Sequence, residues 1–260
     1  MVDFPQLYKK SLYADWHNKH AEPEGDIVQE IEAALAQLKD SQKDRLHKLA
    51  ELMSRVNSFL RLAQKFRGQD ISDSKTEFLL EAALRSDDYE KLFKSFDSVF
   101  EKLWRKNKGR SPGTYVTSKT LQSEIGDLIR TSVVTSTFSY ASDFSKSFSM
   151  WQDLVTELQL DSSVYSDIRS VQLQEESKMQ NGYFAFHLDV QYCDGIRVEV
   201  QVYSRLSAVW RHLSHKLYEK VRVGEDVEWG HGTAASRMVS LGHLLHLAEC
   251  ELEYLKNSLK

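Results

Sequence analysis

The sequence is poor in the residues that staple or interrupt small folds: its 260 residues include two cysteines, three prolines and eleven glycines. Two widely spaced thiols, Cys193 and Cys250, make neither a disulfide framework nor a zinc motif. A chain of this length buries roughly 70–75% of its unfolded surface and needs no such staple. Each cysteine lies in an apolar-rich run, so both are expected as buried free thiols, a usage that suits a reducing compartment. The scarcity of glycine and proline excludes collagen-like and low-complexity classes. No run approaches 18 consecutive apolar residues, which argues against a membrane-spanning helix. The opening MVDFPQLYKKSLYADWHNKH has no apolar core of the kind a secretory signal carries. The chain therefore reads as soluble and cytoplasmic, with no membrane partner. No large charge imbalance is present either. A net charge of −4 gives no global nucleic-acid or anionic-membrane signature and leaves only local basic patches to consider. A Walker A loop, a GxSxG elbow and a GxGxxG fingerprint are all lacking.

What is present is an ordinary globular mixture, 41% hydrophobic and 28% charged, rich enough in apolar residues to exclude wholesale disorder. The pattern changes near residue 110. Before it, apolar residues recur at helical spacing: Ile27, Ile31, Leu35 and Leu38, then Leu46, Leu49, Met53, Val56 and Leu60. Ser41 is expected to split that run into two helices, and Gly68 with Asp70 to end it. Helices are also expected over 74–84 and 88–106, the second carrying the aromatic stripe Phe93, Phe96, Phe100 and Trp104 as core. After the breaker run GRSPGTY, a short helix is expected over 115–124, a strand over 128–137 and a helix over 140–159. Strands are expected over 164–174, 183–192 and 197–204, the last two joined by a turn at Asp194-Gly195. Helices over 205–222 and 234–258 close the chain around a glycine loop with Gly224, Gly230 and Gly232. The expectation is a mixed α/β (α+β) fold of about five strands flanked by helices. It divides into an N-terminal helical segment at 1–105, a sheet domain at 106–223 and a C-terminal helix at 224–260.

Three constellations could carry chemistry. In RVEVQVY, the valines take one strand face, leaving Arg197, Glu199, Gln201 and Tyr203 on the other; Tyr183 and His187 share a face of the neighbouring strand. Periodicity alone favours a solvated sheet face for this set. Between Lys102 and Lys119 lie Arg105, Lys106, Lys108 and Arg110 and no acidic residue, a patch that attracts anions or simply caps a helix end. On the following helix, Arg211, His215, Tyr218 and Arg222 share a face, while the pairs His212/His215 and His243/His246 lack the further ligands of a zinc site.

Residues 106–222 resemble the RelA/SpoT-type synthetase family. VEVQVYSRLSAVWRHLSHKLYEK, at 198–220, resembles its strand-and-helix signature through Glu199, Gln201, Trp210, Leu213, His215, Lys216, Leu217, Tyr218 and Lys220. NGYFAFH, at 181–187, resembles the acceptor strand, GDLIRTSVV the acidic strand with Asp127, and KGRSPGTYVTSK the donor loop. The resemblance implies a nucleotidyltransferase-like synthetase fold of the small-alarmone-synthetase type, without a hydrolase half. It implies a pyrophosphokinase that moves the β,γ-diphosphate of ATP to the 3′-hydroxyl of a nucleotide, GDP or GTP first, to make (p)ppGpp. Adenosine nucleotides and the 3′ end of tRNA are alternative acceptors, and an inactive nucleotide-binding or protein-interaction module is the alternative to an enzyme. It implies Mg2+, with Mn2+ as a substitute, on Asp127 and Glu199 as catalytic and metal-binding carboxylates. It further implies ATP contacts by Lys108, Arg110, Lys119, Arg130, His215 and Lys216, acceptor contacts by Tyr183, His187 and Gln201, and a homo-oligomer as a further partner state. The chain departs from the pattern in its arginines. Ser132 stands at the arginine position of the acidic strand, where Arg130 takes the glycine position, and Tyr203-Ser204 replaces the Arg-Thr that ends the second strand.

Overall fold

The longest element follows from the longest apolar periodicity. Residues 4–68, 75–178, 182–222 and 227–259 are described by a computed structural model, in which α2 runs unbroken over Ile27–Phe66. Asp26 caps it by accepting from the Val28 amide, and Gly68 follows its end with a positive φ, as a left-handed terminus requires. Ser41 does not split it. Its hydroxyl donates back to the Leu38 carbonyl, which satisfies a mid-helix serine without breaking the ladder. Before α2, α1 spans Lys10–His20; after it come a two-residue strand β1, Glu77–Phe78, and α3, Leu79–Arg85. A single 3-10 turn at Tyr89–Leu92 leads to α4, Phe96–Asn107, which buries Phe100 fully and leaves Phe96 and Trp104 packed at the core's margin.

The second half is the sheet with its covers. In order come α5 (Leu121–Glu124), β2 (Ile129–Thr135), α6 (Phe138–Ser149), α7 (Trp151–Glu157), β3 (Ile168–Lys178), β4 (Tyr183–Tyr192), β5 (Arg197–Ser204), α8 (Arg205–Arg222) and α9 (Ala234–Ser258). The strands lie in the order β1-β2-β5-β4-β3. Only β2 and β5 pair in parallel; the other three pairings are antiparallel, so the sheet is mixed. The Asp194-Gly195 turn joins β4 to β5, with Gly195 at positive φ. Asn181, Asp70 and Gly224 lie outside the described residues, as do the side chains of Tyr218, Lys220 and Arg222.

Val198, Val200 and Val202 are fully buried on the face that packs on α6, as strand alternation demands. The core is continuous. Ile31, Leu46 and Met53 of α2 and Phe100 of α4 belong to the same buried cluster as the valines of β5 and Phe144 of α6. The cysteines depart from expectation: Cys193 and Cys250 are both exposed free thiols. Cys193 opens the tight β4–β5 turn. Cys250 sits on α9, which turns Gly242 and Glu249 inward and leaves Leu244, Leu247, Leu252 and Leu255 exposed. An apolar-rich run was a poor guide to burial because this helix faces inward with its small and polar side. Among the described residues no helix is long and apolar enough to cross a membrane.

Candidate active site

The opposite face of the sheet carries the polar residues, and register brings them together. Across β2, β5 and β4, Arg130 pairs with Glu199 and Glu199 with Asp189; one step along, Ser132 pairs with Gln201 and Gln201 with His187. These residues point to one side, away from the valines.

Asp127, just ahead of β2, joins them at the strand ends. Its carboxylate receives Lys94 Nζ at 2.7 Å on one oxygen and Lys102 Nζ at 2.6 Å on the other. Burial alone would raise the Asp127 carboxyl, but the two ammonium groups outweigh burial and hold it far below the usual carboxylate range. Lys94 is only 4% exposed; its burial pushes the amine below the ordinary lysine value, and Asp127 is what keeps a charge there tolerable.

On the neighbouring strands a hydrogen-bonded chain runs from carboxylate to phenol. Glu199 Oε1 lies 3.1 Å from His187 Nδ1, and His187 Nε2 lies 2.8 Å from the Tyr183 hydroxyl. With Glu199 ionised, Nδ1 carries the shared proton, and in a neutral ring Nε2 accepts from the Tyr183 O–H. Burial raises the Glu199 carboxyl, but the hydrogen bond and charge of His187 win and lower it, against repulsion from Asp127. The Tyr183 ring tilts against Trp210 of α8, with centroids 5.9 Å apart.

Two cavities open on this face. The first, of about 290 Å³, is lined by Asp127, Glu199, Asp189 and His187 together with Lys102 and Lys106. The second, of about 320 Å³, is lined by Arg130, Ser132, Gln201, Arg211 and His215, with Leu79 and Leu92 among its apolar walls. Some of the residues singled out from the sequence divide between the two. Asp127, Glu199 and His187 meet in one; Arg130, Gln201 and His215 meet in the other. Tyr183, Lys108, Arg110, Lys119 and Lys216 line neither. Lys108 lies over the Trp104 ring at 5.4 Å, Arg110 pairs with Glu124 at 2.8 Å, and Lys119 and Lys216 are exposed.

Sequence reasoning missed Lys94 and Asp189 as site residues, named Arg211 only as one of a polar set on the following helix, and counted Lys102 and Lys106 only as members of a basic patch. Asp189 was within reach, being two residues from His187 on an alternating strand. Lys102 and Lys106 also had a signal, since four residues apart they share a face of α4. Lys94 had none: it precedes the helix and reaches Asp127 only through the tertiary fold.

No protein-family model matches the chain, and no curated protein sequence matches it. Solved structures do. One is the structure of a GTP pyrophosphokinase family protein from Streptococcus pneumoniae, at 15% identity and a TM-score of 0.50, covering 86% of this chain and 94% of that one. The chain has the fold of that pyrophosphokinase-family structure. Small alarmone synthetase 2 from Bacillus subtilis aligns at 18% identity, a TM-score of 0.46 and coverage of 84% and 99%. Small alarmone synthetase 1 from Bacillus subtilis, bound to its product pppGpp, aligns at 15% identity, a TM-score of 0.45 and coverage of 78% and 87%. The pyrophosphokinase fold accounts for the sheet and its helical covers alike, since the alignment with the Streptococcus pneumoniae structure spans most of both chains.

Proposed function

We propose that the chain is an ATP-dependent pyrophosphokinase that transfers the β,γ-diphosphate of ATP to the 3′-hydroxyl of a nucleotide, with a guanosine nucleotide as first candidate. The observation that carries this reading is the meeting of Asp127, Glu199 and Asp189 with Lys102 and Lys106 around one cavity on the open sheet face. Carboxylates suit a hard cation and ammonium groups suit phosphate oxygens, and transfer of a phosphoryl group needs little beyond positioning and charge stabilisation.

The residues fit Mg2+ in the way that ion is usually held at nucleotide sites. Among the described residues no group of three or more His, Cys, Asp or Glu is placed to hold an ion alone, and Mg2+ commonly takes one or two carboxylates with substrate phosphates and water. Asp127 and Glu199 would hold it, with Mn2+ as a substitute, and the ion would neutralise charge on the migrating diphosphate. Lys94 is buried on one Asp127 oxygen, so the oxygen paired with the more accessible Lys102 is the one open to exchange. Lys102, released from Asp127, and Lys106, which lies 3.6 Å from Glu124, would turn to the donor phosphates, a duty the resemblance gives to Lys108, Arg110 and Lys119. Glu199, backed by His187, would receive the proton of the acceptor hydroxyl. Tyr183 would stack on the acceptor base, its ring already fixed by His187 and Trp210.

The test is release of AMP from labelled ATP with Mg2+ and GDP, GTP, AMP, ADP, ATP or deacylated tRNA. AMP release is expected with at least one of these acceptors. Glu199→Gln is expected to lower it by about 10²–10⁴-fold, the usual weight of general-base help, with an unchanged melting temperature. Absence of AMP with every acceptor, or full activity of Glu199→Gln, overturns the reading.

A further inference from the structure

Among the described residues, the lining of the second cavity carries more positive charge than it neutralises. Three permanent cations line it, Lys91, Arg130 and Arg211, against a single carboxylate, Asp88. That carboxylate is taken by Lys91 at 2.7 Å. Arg130, half-buried on β2, has no ion pair among the described residues. Arg211 reaches down from α8, donates to Gln201 Oε1 at 2.7 Å and to the Tyr203 hydroxyl at 3.4 Å, and lies with its guanidinium carbon 5.3 Å from the centre of the Tyr203 ring. A guanidinium has five N–H donors, so two neutral partners leave donors over and its charge without a carboxylate. A half-buried cation without a counter-charge is costly unless an anion completes it.

The positions of these arginines matter. The resembled pattern has an arginine at 132 and another at 203; here Ser132 and Tyr203 stand there. Arg130 is two residues before Ser132 and therefore on the same strand face. Arg211 lies over the ring of Tyr203 itself. Both guanidinium groups reach the sheet face from substitute positions. The remaining wall is apolar: Leu79, 44% exposed, Ala82, Ala83 and Leu92, contributed by α3 and the turn after it. Those residues belong to the N-terminal segment, so that segment completes the cavity.

We propose that Arg130, Arg211 and Lys91 form a second anion-binding subsite, which takes the phosphates of one of the two nucleotide substrates while its base or ribose rests on the Leu79–Leu92 wall. This rests on the pyrophosphokinase reading for the identity of the ligand, and it adds two residues, Lys91 and Arg211, that the resemblance does not assign. A planar guanidinium offers paired donors to a phosphate, which an ammonium cannot reproduce. Arg211→Lys should therefore recover only part of the function.

The experiment is calorimetric titration of the full chain with two probes, a non-hydrolysable ATP analogue and GDP, alongside the AMP-release assay. Arg211→Gln is expected to weaken one probe at least tenfold and the other less than twofold, with Arg211→Lys intermediate. Lys91→Ala, at an exposed position, is expected to weaken the same probe about threefold. Equal weakening of both probes, or of neither, in Arg211→Gln with an unchanged melting temperature overturns the subsite. If Arg211→Gln fails to fold, Lys91→Ala and Arg130→Gln decide it by the same selectivity. Selective weakening in a chain that releases no AMP sinks the pyrophosphokinase reading and leaves the subsite standing; AMP release with unselective variants does the reverse.

Discussion

Asp127 carries two duties at the residue scale, and mutagenesis will confuse them unless they are separated. From the sequence it is a carboxylate on an open polar face, whose removal should cost little packing. In the fold it is also the counter-charge of a lysine that is 4% exposed. Removing one partner of a buried ion pair typically costs about 3–5 kcal/mol, because the other charge is left stranded. Asp127→Ala should therefore lower stability by about that amount in urea unfolding, whatever it does to activity. Adding Lys94→Met should restore most of the loss, and activity should stay absent. A fully stable Asp127→Ala protein would show that the Lys94 contact contributes nothing. The pH behaviour has a definite sign. The Asp127 carboxyl is depressed in the folded state, so its contribution is present above the ordinary carboxylate range and is lost as pH falls through the folded-state value. Glu199 is the cleaner probe of chemistry, because His187 can find other partners while no buried cation depends on Glu199 alone. The site was thus partly legible. Alternation placed Glu199, Gln201, Tyr183 and His187 on one face, but Lys94 is brought to Asp127 by folding across 33 residues and leaves no periodic trace.

Elements were legible where one periodicity ran without competition. β4 and β5 span 183–192 and 197–204, and α8 and α9 span 205–222 and 234–258, each as the pattern suggests. The pattern failed where a local cue was overruled. Ser41 looked like a break and is absorbed by α2. β1 is only two residues long and exists by pairing with β2, so it has no signal of its own. The docking of α9 was illegible for a different reason: it depends on contact between two glycines. A Cβ on Gly242 would sit 2.1 Å from the Gly182 carbonyl oxygen, and one on Gly182 would sit 2.6 Å from the Val239 carbonyl. Backbone meets backbone there, immediately before Tyr183, and the Trp210 indole N–H donates to the Met238 carbonyl at 2.7 Å to hold α8 against α9. Gly242→Ala should force the helix off the strand and cost about 1–3 kcal/mol by overpacking. It should also loosen Tyr183, read as faster amide exchange at the start of β4. Substituting Leu247→Ala on the outward side of the same helix should change stability by no more than about 0.5 kcal/mol.

Over the whole molecule, the N-terminal helices and the sheet share one core, and α1 also fastens the segment that leads into the site. His17, fully buried, lies with Nε2 3.0 Å from the Val116 carbonyl. Asn107 of α4 donates to that same carbonyl and accepts from the Val116 amide at 2.7 Å. Glu22 accepts from both the amide and the hydroxyl of Ser118, at 2.9 and 2.7 Å. Three side chains from outside the loop thus fix the backbone between Gly109 and Lys119, which in turn positions Glu124 beside Lys106 and Arg110. Burial disfavours the charged form of His17 and lowers it below the ordinary imidazole value, with the Val116 carbonyl and Glu22 offsetting only part of that effect. For a base lowered in the fold, the unfolded chain takes up the proton first. The contribution of His17 is therefore complete above the ordinary imidazole range and declines as pH falls below it. Unfolding followed by urea should show stability dropping between about pH 7 and 5, in the window where free histidine titrates. Amide exchange at residues 114–119 should accelerate over the same window. A His17→Gln chain keeps a donor for Val116 and cannot titrate, so its stability should be flat there. If wild type and His17→Gln lose stability in parallel as the pH is lowered, some other group governs the loop, and His17 is only a packing residue.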